Sequence, residues 1–211
     1  MSLRTTAKRL AHKFGSLPTL LRDCLRDYRA ARTRSAAETR RTAIHEAGHA
    51  VLMIALGLSL VWVSIIPDVR GGTLGQAYWS EGYATAADLR TRNAIYLQYA
   101  MVYYAGAEAV RQLIPTDPNP DDGASTDKRN AARFIEHHIG GDAESIELLF
   151  SLAKRRTALL VEHYRPEIAA LAGALEAELI LSAKNARKVF KRSLAGRAVR
   201  PLTFKSDFTL H

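Results

Sequence analysis

One cysteine, Cys24, stands in 211 residues. The chain can therefore close no internal disulfide, and it suits a reducing compartment. Its basic N-terminus lacks an apolar stretch running to a small-residue cleavage site, so no secretory signal is read there. Residues Ala50 to Ile66 carry no Asp, Glu, Lys or Arg, but this run is only 17 residues long, against about 20 for a membrane-crossing helix. It contains Gly57 and Ser59 and becomes β-branched at Val61, Val63, Ile65 and Ile66. That pattern predicts the buried end of a helix followed by a buried strand. No segment repeats. The composition, 47% apolar and 24% charged, is that of a globular chain with one sizeable core.

Acidic residues are scarce at both ends. Residues 1–41 hold 11 Lys/Arg against 3 Asp/Glu (+8), and residues 183–211 hold 8 against 1 (+7). Residues 42–182 hold 11 against 17 (−6). The overall +9 thus describes the ends and not the body. The division predicts a basic amphipathic extension over 1–35, a folded body over 36–195 and a basic tail over 196–211. In "SLPTLLRDCLRDYRAARTR", Leu17, Leu20, Leu21, Cys24, Leu25 and Tyr28 recur at helical spacing, with Pro18 in the first turn. Such a helix packs on the body or a partner, or lies on anionic lipid. Nucleic-acid binding is the weaker alternative, since no recognisable module accompanies the charge.

The remaining pattern predicts a mainly α chain with a small β-sheet (α+β). A helix is expected over 36–56, ending near Gly57. Strands are expected at "VWVSIIP" and at Thr73–Trp79, with a turn at Gly71-Gly72. Thr85 and Asp88 read as a capping pair opening a helix to about Leu113. "PTDPNPDDGAS" reads as a loop. Helices are then expected over 125–138 and 143–164, from Pro166, and after a capping Ser182.

The chemistry lies in "TAIHEAGHAVLMIALG". Positions four apart share a helix face, so His45 and His49 can aim two imidazoles at one ion. Glu46 sits about 100° round from His45, beside the metal. This is the arrangement of a catalytic zinc with three protein ligands and an open fourth position. The glutamate serves as base toward water and then as acid toward the leaving amine. Ala47, Gly48 and Ala50 are read as keeping the helix slim for substrate. No histidine follows at the long metzincin spacing; the next is His137. Acidic candidates for the third ligand are Glu81, Glu108, Asp117, Asp121, Asp122 and Asp127. The loop aspartates are expected there as turn formers. Asp127 is equally explained as a first-turn acid favoured by the helix dipole.

"RRTAIHEAGHAV", "VSIIP", "LGQAY", "GASTDKRNAARF" and "ALLVEHYRPEIAALAGALEAELIL" occur in an order that resembles the peptidase domain of FtsH, the ATP-dependent zinc metalloprotease. The resemblance spans roughly Arg40 to Phe190. It implies a zincin-like domain with an HExxH helix, an edge strand and a C-terminal helical bundle. It implies one Zn2+ per chain on His45, His49 and Asp127, with Glu46 catalytic. The segment Thr73, Leu74, Gly75, Gln76 would hold an extended peptide through main-chain hydrogen bonds.

The sequence departs from that family in three ways. No G-x-x-x-x-G-K-[ST] loop is present, so ATP binding of that kind is not encoded here. The FtsH membrane segments are absent. "YYAGAEAV" stands where the family has Gly-Gly-x-Ala-Ala-Glu. If Ala107-Glu108 keeps register, Glu108 is a carboxylate orienting a histidine, or an alternative ligand. If Ala105-Gly106 keeps register, Val110 stands in the glutamate's place.

The expectation is an ATP-independent zinc metalloendopeptidase acting on small or unfolded polypeptides. A separate ATPase or adaptor and self-association into a homo-oligomer are its expected partners. Its expected place is the cytoplasm, peripheral at the inner membrane face if the basic ends meet lipid. The alternative is a metal-binding regulatory or scaffold protein acting through those ends on a partner, an anionic membrane or nucleic acid.

Overall fold

The computed structural model describes residues 17–68, 73–79, 89–139 and 141–195. The expected Gly71-Gly72 turn, the Thr85–Asp88 cap, Glu81 and the 196–211 tail lie outside the described residues.

The chain is mostly helical with a small antiparallel sheet. Helix α1 (Leu17–Thr33) leads into α2 (Ala36–Ala55), which carries the HEAGH motif. A capping box opens α2: the Ser35 hydroxyl accepts from the Glu38 amide, and the Glu38 carboxylate accepts from the Ser35 amide. Its end is equally determined. Gly57 adopts φ +73°, Leu58 N–H bonds Met53 C=O at 2.9 Å, and Gly57 N–H bonds Ile54 C=O at 3.2 Å. These two bonds satisfy carbonyls the last turn would otherwise strand, at a left-handed residue that suits glycine.

The charge-free run after α2 becomes β1 (Leu60–Ser64), the middle strand of a sheet ordered β2-β1-β3. Strand β2 spans Gln76–Trp79, shorter than the expected Thr73–Trp79; Thr73 makes only an isolated bridge to Asp68. Strand β3 (Ile180–Ser182) was not expected. Among the described residues no helix is long and apolar enough to cross a membrane.

Helices α3 (Leu89–Leu113), α4 (Ser125–Arg133), α5 (Ala143–His163), α6 (Arg165–Glu178) and α7 (Ala183–Leu194) complete the fold. The expected 125–138 helix divides: α4 stops at Arg133, and Phe134–Ile139 continues as a π-helical turn. Pro166 lies in the first turn of α6 and Ser182 caps α7, as their positions predict.

Helix α2 packs chiefly on α3 and α6, and α3 on α5. Ile44, Leu52, Met53, Ile65, Met101, Leu160, Ile168, Leu171 and Leu175 are fully buried at this junction. Ala31 of α1 is buried with them, so the end of the basic extension belongs to the core. A Cβ on Gly48 would stand 2.6 Å from the Ala105 carbonyl oxygen and 2.8 Å from Ala109 Cβ. The small residues of the motif therefore bring α2 and α3 into contact; Ala47, Gly48 and Ala50 are buried and offer nothing to a substrate.

Candidate metal centre

Two elements supply the donors, which meet over the middle of α2. The helix supplies His45 and His49 one turn apart. The first turn of α4 supplies Asp127, 82 residues further along. Asp127 Oδ2 lies 3.1 Å from His45 Nε2 and 3.3 Å from His49 Nε2, and the two nitrogens are 3.1 Å apart. Among the described residues these three form the group able to hold a metal ion. Tetrahedral zinc with ligands at about 2.0–2.1 Å requires donors separated by roughly 3.3–3.4 Å. The observed triangle matches one face of that tetrahedron to within a few tenths of an ångström, so the donor set fits zinc.

The ring of His49 is fixed from behind. Its Nδ1–H donates to the Val102 carbonyl at 2.7 Å, which leaves Nε2 as the outward donor. Gly106, one turn along α3, lets the rings in: a Cβ there would stand 2.5 Å from His49 Nε2 and 2.6 Å from His45 Nε2. The small pair Ala105-Gly106 is thus the one that faces the histidines. Val110 is fully buried. Glu108, two residues on, is turned about 200° away. Its carboxylate accepts from Arg111 and from Gln112 and does not join the ligand group. The loop acids are also engaged elsewhere: Asp117 with Arg41, and Asp121 with Arg111 and Lys128.

Glu46 is buried, 6% exposed, beside the triangle. The neighbouring Ala77 amide of β2 favours its charged form, against the burial. A Cβ on Gly75 would stand 2.8 Å from Glu46 Cγ and 2.9 Å from Oε1. Gly75 is therefore the position that admits the glutamate against the strand.

A cleft of about 420 Å³ opens over these groups. Thr73, Leu74, Gly75 and Gln76 line one side, with the rest of β2. Strand β2 lies at the sheet edge, and among the described residues nothing pairs with its outer side. Leu74 and Tyr78 are about half exposed. Trp79 closes one end, 6.5 Å from the His49 ring and edge-on to Tyr103 at 5.1 Å. The sequence left the Ala105-Gly106 register open and gave no site role to Trp79 or Tyr103, whose only signals were the expected strand ending at Trp79 and the text "YYAGAEAV".

Without metal, the donors behave as an ion pair. Burial alone would push His49 down, but Asp127 beside it, helped by Glu46, raises it to about 9. Burial would raise Asp127, yet His49 and His45 hold it well below the usual carboxylate range. Burial pushes Glu46 up, and the two histidines only partly offset this. A raised histidine stabilises the fold fully below its unfolded value of 6.5 and ceases to do so as pH passes about 9. Zinc requires the neutral ring, so proton and metal compete. Chelator-treated protein should therefore lose thermal stability between pH 6.5 and about 9, and the rise in Tm given by added zinc should grow over the same interval. Differential scanning calorimetry with and without zinc measures both; a zinc increment that is flat or shrinks with pH would contradict the assignment of His49.

No protein-family model matches the chain, and no curated protein matches it.

Proposed function

We propose that the chain is a zinc-dependent metallopeptidase resembling the FtsH peptidase domain, hydrolysing small or unfolded polypeptides by chemistry that itself uses no ATP. The observation that carries this reading is the position of Glu46. A purely structural zinc needs no buried carboxylate next to its ligands and closes with four of them. Here three donors and a glutamate converge beneath a strand edge.

Zinc held by His45, His49 and Asp127 would polarise the scissile carbonyl and acidify water. The chain's own groups supply the rest. An extended peptide adds to the outer edge of β2 by main-chain hydrogen bonds, which tolerates varied side chains. Glu46 takes the proton of the attacking water and delivers it to the leaving amine. A pKa raised by burial suits both steps, because the proton is neither given up too readily nor held too tightly.

The regulatory or scaffold alternative has one observation of its own. Lys184, Arg187, Lys188, Lys191 and Arg192 form an exposed cationic face on α7, with no acid in the helix. That face accounts for an anionic partner and leaves Glu46 and the cleft unexplained.

The test is cleavage of unfolded casein by protein loaded with one zinc per chain. Activity should vanish with a chelator and return with zinc, and Asp127→Ala should bind zinc at least about 100-fold more weakly. Stoichiometric zinc with no cleavage of casein or of a peptide library would favour the scaffold alternative.

A further inference from the structure

Helix α2 holds two ligands, but the third arrives from a chain segment entering across the cleft. Something must fix that segment against α2, and its own composition does not. Residues 114–124 are rich in Pro, Asp and Gly, and their internal bonds are local turns, such as Asp122 N–H to Asn119 C=O at 2.9 Å. Ala124 at the start of α4 offers no side-chain cap.

Packing of α4 on α3 and the pairs of Asp121 with Arg111 and Lys128 hold that segment from one side, and Arg41 ties it to α2. Arg41 lies on α2 one turn before His45, on the same stripe of the helix. Its Nε donates to Asp117 Oδ2 at 2.7 Å, and its Nη2 donates to the carbonyls of Asn119 at 2.8 Å and Asp122 at 2.9 Å. The side chains of Arg41 and Asp117 are only 19% and 10% exposed. This ion pair is part-buried, while the bonds to Asn119 and Asp122 lie at the surface, so the grip depends on all three acting together. The two gripped carbonyls belong to the last turns before α4, and Asp127 follows Asp122 by five residues. One guanidinium thus ties the helix of the two histidines to the loop that delivers the aspartate.

Resting on the reading of His45, His49 and Asp127 as a metal centre, we propose that Arg41 is a positioning residue for the third ligand. It lines the cleft but is none of the metal donors, and it acts on the third one through the loop it holds. Lysine cannot replace it, because three bonds in two directions from one planar group require the guanidinium fork.

The test compares wild type with Arg41→Ala, Arg41→Lys and Arg40→Ala. Arg40 is the adjacent control: it pairs with Glu176 at 2.7 Å, away from the loop. Zinc affinity is measured by competition with a chromophoric chelator, and ligand geometry by the visible spectrum of the Co2+-loaded protein. Both Arg41 variants should bind zinc about 10–100-fold more weakly, the range for residues that orient ligands. Their Co2+ spectra should lose intensity as the tetrahedral arrangement loosens, while Arg40→Ala matches wild type. A role in stability alone would lower Tm and leave affinity and spectrum unchanged, which overturns the proposal. If Arg41→Ala fails to fold, Arg41→Lys, which keeps the charge and the stem, decides the matter by the same two readings. Wild type that takes up no metal would overturn the metal centre and this proposal with it. Wild-type binding that persists undiminished in the folded Arg41 variants overturns the proposal alone.

Discussion

Glu46→Gln should keep its zinc and lose peptide hydrolysis by about 10²–10⁴-fold, the usual worth of a positioned acid–base group. Glutamine has nearly the same shape. It can still lie against Gly75, and it touches none of the metal donors' bonds. What it cannot do is take a proton from water. Because burial disfavours the charged glutamate, the neutral amide should also leave Tm unchanged or slightly raised. Metal content, Tm and kcat/KM on a quenched peptide test the three statements separately. Equal turnover by the two proteins would rule out Glu46 as the base.

Gly106→Ala should abolish stoichiometric zinc binding in a protein that still folds. By helix propensity alone the change is favourable by about 1 kcal/mol, since glycine is a poor helix former. The new methyl, however, would stand 2.5 and 2.6 Å from the two imidazole Nε2 atoms. Neither ring can yield without breaking the donor triangle, and His49 is also held by Val102. The helix gains while the centre loses, which separates this effect from general destabilisation. Circular dichroism should show native helicity and chelator titration at least about a 100-fold loss of affinity. Zinc binding at wild-type strength would mean that the rings or α3 relocate freely.

How far the sequence foretells this arrangement depends on the range of the interaction. The α2 boundaries, the Ser182 cap and the start at Pro166 are legible because a few neighbouring residues decide them. His45 and His49 are legible because helical spacing alone puts them together. Asp127 is one acid among six by local criteria, and its selection required the resemblance of "GASTD" to a known motif. Strand β3 has three residues and exists only because Trp62, Val63 and Ser64 pair with it, so no local pattern announces it. The face that α3 turns to α2 is likewise a packing outcome. A difference of two residues, Gly106 or Glu108, decides between a gap for two rings and a carboxylate, and periodicity is similar for both. The small residues of HEAGH were misassigned for a related reason: a glycine slot reads the same whether a peptide or another helix fills it.

The sheet order carries one more consequence. Strand β1 leaves α2 directly and finds β2 soon afterwards, yet its other partner, Leu181 opposite Val63, is among the last described residues. During synthesis β1 therefore waits with one edge open until α3 to α6 have been made. The strand that presents Gly75 and Ala77 to Glu46 is anchored to that unfinished sheet. The cleft takes its final form only after Ile180–Ser182 have been made, a natural delay for a protein whose proposed work is to cut unfolded polypeptide.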